Sequence, residues 1–193
     1  MHAQVDSSIE NIDKACQKGC SACCHQIVDV FTWEEPRIFE YIHKTLNRAI
    51  KRKIGRNIEK WFNKFNSYTR DANRQSPLNF QDILKVQHIF REQRIPCPFL
   101  IDSKCSIYEV RPMVCRVHYE KESANRCEID PHKNTPQDAQ DICRRQSEKF
   151  NPEIFPVAMK PLPYLVATEF NIEIQSKPMM GVVYDPNKIF NRI

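Results

Sequence analysis

At 193 residues, 41% hydrophobic and 27% charged, the chain is long enough to bury the core of one domain and carry an extension. Its formal net charge of +5 is unevenly spread: from Lys44 to Arg74 ten basic residues meet two acidic ones, a local +8 that leaves −3 for the rest. Only three glycines are present, at 19, 55 and 181, which excludes a P-loop, a dinucleotide fingerprint and a Gly-x-Ser-x-Gly nucleophile elbow. The six histidines form no His-Glu-x-x-His pair, and no apolar run approaches the ~18–20 residues of a membrane span. The segment Met1 to Glu10 is polar and lacks the apolar stretch of a secretory signal, so the expected location is the cytoplasm.

In chain order, Ser7-x-x-Glu10 reads as a capping box opening a short helix from about Ile9 to Lys18, with Gly19 placed to stop it. A dense cysteine group follows, and Ile27 to Phe31 reads as a brief extended piece. Thr32-x-x-Glu35 is a second capping box, opening a helix through about Ile50 whose Ile38, Phe39, Ile42, Leu46 and Ile50 share one face. A helix from Ile54 to Thr69 turns Ile58, Trp61, Phe62 and Phe65 inward. The next, from about Phe80 to Gln93, carries Ile83, Leu84, Val86, Ile89 and Phe90, with Ser76, Pro77 or Asn79 near its start. Periodicity vanishes from Ile95 to Ile129, a stretch expected to be loop with short helical turns. Thr135-Pro136 starts a further helix ending near Phe150. Residues 151–163 hold four prolines and read as a linker or wrapping segment. Leu162 to Phe170 reads as a helix and Gly181 to Tyr184 as a short strand. The expected fold is mainly α: a small helical domain over 1–150 with irregular cysteine-rich loops stapled by a metal site, short β pieces at most, and a proline-rich extension over 151–193 packing on it.

Nine cysteines carry the chemistry. The first group is Cys16-x3-Cys20-x2-Cys23-Cys24; the second is Cys97-x7-Cys105-x9-Cys115, followed by Cys127 and Cys143. An odd count leaves a spare thiol in any all-disulfide scheme, and without a secretory signal such clusters point to metal or redox chemistry. Thiolates suit zinc, iron and iron–sulfur clusters because soft sulfur matches these metals. A metal shared by the two groups would pin the N-terminal segment onto the loop after the third helix. Cys97 lies between Pro96 and Pro98, which holds it extended. Cys105 precedes a short helical turn, whose exposed N–H groups stabilise a thiolate, whereas Cys16 is expected near a helix end. The ligand pool is Cys20, Cys23, Cys24, Cys97, Cys105 and Cys115, with Cys16 beside them; four suffice for one zinc or one 4Fe–4S cluster.

Gly19-Cys-Ser-Ala-Cys-Cys24, Pro96-Cys-Pro-Phe-Leu100, Cys105-Ser-Ile-Tyr-Glu-Val-Arg-Pro112 and Val114-Cys-Arg116 together resemble the cysteine-cluster (YkgJ-like) family of zinc- or iron-chelating proteins. The matched motifs run from about Cys16 to His118; Cys127 and Cys143 lie beyond them. The chain is also similar to the cysteine-rich part of flagellin lysine-N-methylases, a resemblance that implies an iron–sulfur cluster and methyl transfer by a component of a larger enzyme. The Cys16-x3-Cys20-x2-Cys23 spacing matches that of radical SAM enzymes, but no alternating βα pattern accompanies it and Ala22 stands where an aromatic is usual.

His25 and His118 are reserve ligands, but a satisfied surface histidine or one that hydrogen-bonds beside the site is the first reading. Arg111 and Arg116 either offset the charge of a multi-thiolate site or pair with carboxylates such as Glu109 or Glu120. Tyr108 and Phe99 read as packing. Lys44, Arg48, Lys51, Arg52, Lys53, Arg56, Lys60 and Lys64 lie on helices with apolar opposite faces, so a solvated face is the first reading and an anionic partner the sharper one. The sequence therefore points to a zinc-, iron- or iron–sulfur-binding protein with a structural, carrier or redox role. Iron–sulfur-dependent protein methyl transfer and a zinc-stabilised nucleic-acid-binding module are the alternatives. No acid–base pair or activated nucleophile identifies it as an enzyme.

Overall fold

Helix positions follow where apolar side chains find a common core. The computed structural model describes residues 2–16, 19–69, 80–130, 136–148, 157–174 and 182–184. The expected start of the third helix at 76–79, Arg70 and Arg74 of the basic stretch, Thr135, Phe150 and residues 151–156 of the proline-rich segment lie outside these.

The described residues are mainly helical, with two small sheets. Helix α1 spans His2–Glu10, not Ile9 to Lys18. Val5 and Ile9, four apart and buried, pack with Met113, Val117, Ala139 and Ile142, and this burial fixes the helix about two turns earlier than the capping box suggests. Ser8 instead bonds back to the Gln4 carbonyl at 2.8 Å from inside the helix. Beyond it the chain leaves helical bonding, and the Ala15 N–H reaches the Glu120 carbonyl at 2.8 Å. Cys16 therefore sits outside any helix. Gly19 takes φ +102, a left-handed turn that other residues adopt at a cost.

Strand β1 (Asp29–Phe31) leads through a 3-10 turn (Thr32–Glu34) into α2 (Glu35–Lys44). The helix expected through Ile50 stops at Lys44 and restarts as α3 (Arg48–Thr69) because the Asn47 side chain accepts the Ile50 N–H at 2.9 Å and caps the new helix. Helix α4 spans Phe80–Glu92. It ends where Arg94 turns to φ 49 and the Ile95 N–H bonds back to the Phe90 carbonyl at 2.9 Å, burying Ile95 beneath the turn.

The expected loop after Ile95 contains a hairpin, β2 (Leu100–Ile101) against β3 (Lys104–Cys105). Asp102 and Ser103 both have positive φ, the backbone that a two-residue hairpin demands, and Lys53 pairs with Asp102 at 3.2 Å. A 3-10 turn (Tyr108–Val110), α5 (Met113–Val117) and α6 (Arg126–Ile129) follow, then α7 (Gln137–Glu148). From Val157 the proline-rich segment is strand rather than linker: β4 (Val157–Pro161) pairs antiparallel with β1 and places Pro161, which has no N–H to donate, at the strand end opposite Asp29. Helix α8 (Leu162–Val166) and a 3-10 turn to Phe170 follow, and β5 (Val182–Tyr184) adds to the other edge of β4.

One apolar cluster joins α2, α3, α4, the hairpin and α8; a second joins α1, α5 and α7. The first is built on aromatics four apart on α3: Trp61 stacks on Phe65 with ring centroids 4.9 Å apart. Phe90 of α4 meets Trp61 edge-on at 5.3 Å, and Tyr164 of α8 meets Phe62 at 4.8 Å. Each such pair is worth about 0.5–1.5 kcal/mol beyond the area it buries. The cysteine-rich loops lie between the two clusters.

Candidate metal centre

The two cysteine groups meet through the backbone. Ala22–Cys24 forms a 3-10 turn, and the Cys24 carbonyl accepts the Cys97 N–H at 2.7 Å. Asn57 of α3 donates to the Pro98 carbonyl at 3.2 Å, and the Leu100 N–H closes onto the Cys97 carbonyl at 2.9 Å. Cys105 ends β3, with the Ser106 N–H and hydroxyl both bonding the Phe99 carbonyl at 2.9 Å. The next turn begins only at Tyr108, so the expected helix start at Cys105 is replaced by a single contact, the Ile107 N–H on its sulfur. Cys97 receives the Phe99 N–H in the same way. Both are N–H contacts from two residues downstream, which favour a thiolate. Cys115 lies in α5, whose first N–H, that of Met113, is held by the buried Glu34 carboxylate at 2.8 Å.

The eight described cysteines are free thiols, all partly exposed as residues. Cys23 is their meeting point. Cys97, Cys105 and Cys115 each feel its charge, and Cys115 also feels Cys97 and Cys105. Cys16 contacts Cys20 and feels Cys23, and the Glu120 N–H points at the Cys16 sulfur at 3.2 Å. Cys24 is hydrogen-bonded to Cys23. Burial pushes Cys97 up to about 12, Cys115 well above the ordinary thiol value and Cys105 upward. The bond with Cys24, then burial, raises Cys23 well above its ordinary value. Burial raises Cys16 to about 11, with its thiol neighbours adding to the effect.

Cys127, on α6, is the residue that motif spacing missed. Its thiol, raised by burial to about 11, feels Cys16, Cys23 and Cys20. A lone cysteine in a short helical turn gives no sequence signal; only the fold brings it to the group. Cys143 lies on α7, with its side chain outside the description.

The two arginines part company. Arg116 is 5% exposed and pairs with Asp6 at 2.5 Å while bonding the Glu109 and Arg111 carbonyls at 2.7 and 2.9 Å. It takes the carboxylate-pairing role, with Asp6 rather than Glu109 or Glu120. Arg111 faces the thiols: its guanidinium lies 4.1 Å over the Tyr108 ring, its Nε is buried without a hydrogen-bond partner, and its charge lowers Cys16, Cys23, Cys105 and Cys115 against the larger effect of burial.

Beside the thiols opens a small cleft of about 30 Å³ whose wall includes Cys23, Cys127, His25, His118, Arg91 and Glu120. His25 places Nδ1 3.3 Å from the Ala22 carbonyl, and Arg91 is fixed by two bonds to the Gln26 side chain at 2.8 and 3.1 Å. Both histidines thus border the cleft mouth of the thiol group.

Among the described residues, no three His, Cys, Asp or Glu side chains stand in a ready-made metal-binding arrangement. The donor set nevertheless fits a soft metal. Several thiols outside any disulfide and held neutral by desolvation, with N–H groups of Glu120, Phe99 and Ile107 aimed at Cys16, Cys97 and Cys105 and the unpartnered Nε of Arg111 nearby, are what a bound cation would convert to thiolates. Among the described residues no helix is long and apolar enough to cross a membrane.

No curated protein and no solved structure matches the chain. A family model does match residues 15–149, the stretch from the first cysteine to the end of α7. The first gap here, three residues between Cys16 and Cys20, is one longer than in the pattern from which the family takes its name. With more than half its length matched, the chain belongs to the CxxCxxCC family, described as "putative zinc- or iron-chelating domain".

Proposed function

We propose that this protein holds one zinc or iron centre on Cys23, Cys97, Cys105 and Cys115, with Cys16, Cys20 and Cys127 as an outer thiol group that shares Cys23. Cys24, the remaining member of the sequence-derived pool, contributes its carbonyl to the Cys97 N–H rather than a thiolate. The observation that supports the reading is that Cys23, Cys97, Cys105 and Cys115, from three separate segments, all lie within electrostatic range of one another. Four thiolates close the shell of a structural zinc and equally suit iron. The buried sulfurs favour a structural or redox role for the inner four, and the half-exposed outer group beside the cleft favours exchange of metal with a carrier. In this reading residues 1–150 contain the site and the extension from 151 braces it through β4 and α8. Iron–sulfur chemistry is the variant in which a cluster spans both groups.

Anaerobic purification followed by metal analysis and absorption spectroscopy tests the reading. Zinc or iron near one per chain supports it, a colourless protein assigning zinc and visible charge-transfer bands assigning iron. Cys115→Ser is expected to lose metal and stability together, and Cys127→Ser to keep the inner metal. Absence of both zinc and iron from the anaerobically purified chain, or a Cys115→Ser variant with full metal content, overturns the assignment.

A further inference from the structure

The outer face of α3 carries an unbroken series of cations four residues apart: Arg48, Arg52, Arg56, Lys60 and Lys64. All five are exposed, and they line one side of the helix opposite the buried Ile54, Ile58, Trp61 and Phe65. Four residues advance a helix by about 6 Å, so the ridge is about 24 Å long.

This placement opposes helix stability in three ways. Like charges at i,i+4 repel. The first turn of α3 has no acidic residue and the last turn no basic one, the reverse of what the helix dipole favours. None of the five cations makes an ion pair or side-chain hydrogen bond to another described residue, although nearby Lys44 and Lys53 are paired with Glu40 and Asp102. A solvated face gains nothing from such an arrangement, whereas a line of external anions would relieve it.

We infer that this ridge is a docking surface for the phosphate backbone of a nucleic acid strand, bound without regard to sequence. A polyphosphate offers evenly spaced charges along a line, complementary to the ridge. An acidic membrane fits less well, because interfacial helices insert an apolar face and that of α3 is spent on the core. A folded protein partner would need apolar anchors beside the charges; the exposed positions of α3 that are not cations are Ala49, Glu59, Asn63 and Ser67, so the ridge offers no large apolar side chain and carries a single carboxylate among its cations. Base stacking plays no part, since Trp61, Phe62 and Phe65 are buried. This reading stands apart from the metal centre.

The test is fluorescence anisotropy of the full chain with a labelled mixed-sequence single strand and a homopolymer of equal length, from about 50 to about 200 mM salt. Five phosphate contacts predict a slope of log affinity on log salt of about −3.5, a loss of about a hundredfold over that range, the same for both strands. R48Q/R52Q/R56Q/K60Q/K64Q is expected to abolish this binding while its circular dichroism stays helical. The milder R56Q/K60Q should lower the slope by about 1.4. Undetectable binding at the lowest salt, salt-independent binding, or full affinity in either variant overturns the inference. So does preferential capture by phosphatidylserine vesicles over the oligonucleotides.

Discussion

Replacing Arg116 with Met should unfasten the cysteine loops. The Arg116 side chain is 4% exposed and donates to the Glu109 carbonyl, the Arg111 carbonyl and the Asp6 carboxylate. Methionine fills much of the same space, so the cavity contribution is small and the lost polar contacts dominate. Two carbonyls lose charged donors at about 1.5 kcal/mol each. Asp6 is 48% exposed and rehydrates, so its pair adds only about 0.5–1 kcal/mol. The sum is about 3.5–4 kcal/mol, which at a urea dependence of about 2 kcal/mol/M lowers the midpoint by nearly ~2 M. Equilibrium urea unfolding followed by circular dichroism measures it, with the exposed Arg145→Met as a control expected to shift by less than about 0.5 kcal/mol. A loss under about 1 kcal/mol for Arg116→Met would refute the reasoning, because it would mean that both carbonyls find water as readily as they found the guanidinium.

Two further outcomes follow from local chemistry. Gly55 lies inside α3, and a Cβ there would meet Phe170 Cδ1 at 3.6 Å, an ordinary contact. Gly55→Ala should therefore raise stability by about 0.5–1 kcal/mol, and a lowered thermal midpoint would count against the packing described. In the metal-free protein the Cys97 thiol is held up at about 12 against 9.0, so its neutral form is favoured by the fold. That stability is fully present below about pH 9 and is lost as pH rises toward about 12, at about 1.4 kcal/mol per unit. The urea midpoint should fall over this window in the wild type and less steeply in Cys97→Ala; a rising midpoint would contradict the burial of this sulfur.

Much of the helical frame was legible because periodic apolar residues commit a helix to a face. Ile38 and Ile42, or Ile58, Trp61 and Phe65, leave no other way to bury themselves. Boundaries decided by tertiary contacts were not legible: α1 moved because Val5 and Ile9 needed α5 and α7, far along the chain. The Asp102-Ser103 hairpin lacks the glycine that usually announces such a turn. The pairing of β1 with β4 joins segments too short to show alternation, more than a hundred residues apart. At the site, cysteine spacing and flanking prolines pointed to thiols that lie within electrostatic range of Cys23 in the fold. It missed Cys127, which joins through the position of α6 alone, and it could not divide the labour between Arg111 and Arg116, which depends on which guanidinium finds Asp6.

The bond from the Cys97 N–H to the Cys24 carbonyl also sets a timetable. Seventy-three residues separate its two ends, so at about 5–20 residues per second the first four thiols emerge roughly 4–15 s before their partners are made. In that interval α2 and α3 can form locally, while Cys16, Cys20, Cys23 and Cys24 remain on an unanchored leader with Cys23 and Cys24 side by side. In the proposed reading a nascent chain is thus open to binding the wrong metal through its first thiols for an interval of its synthesis, which closes once Cys97, Cys105 and Cys115 have been made.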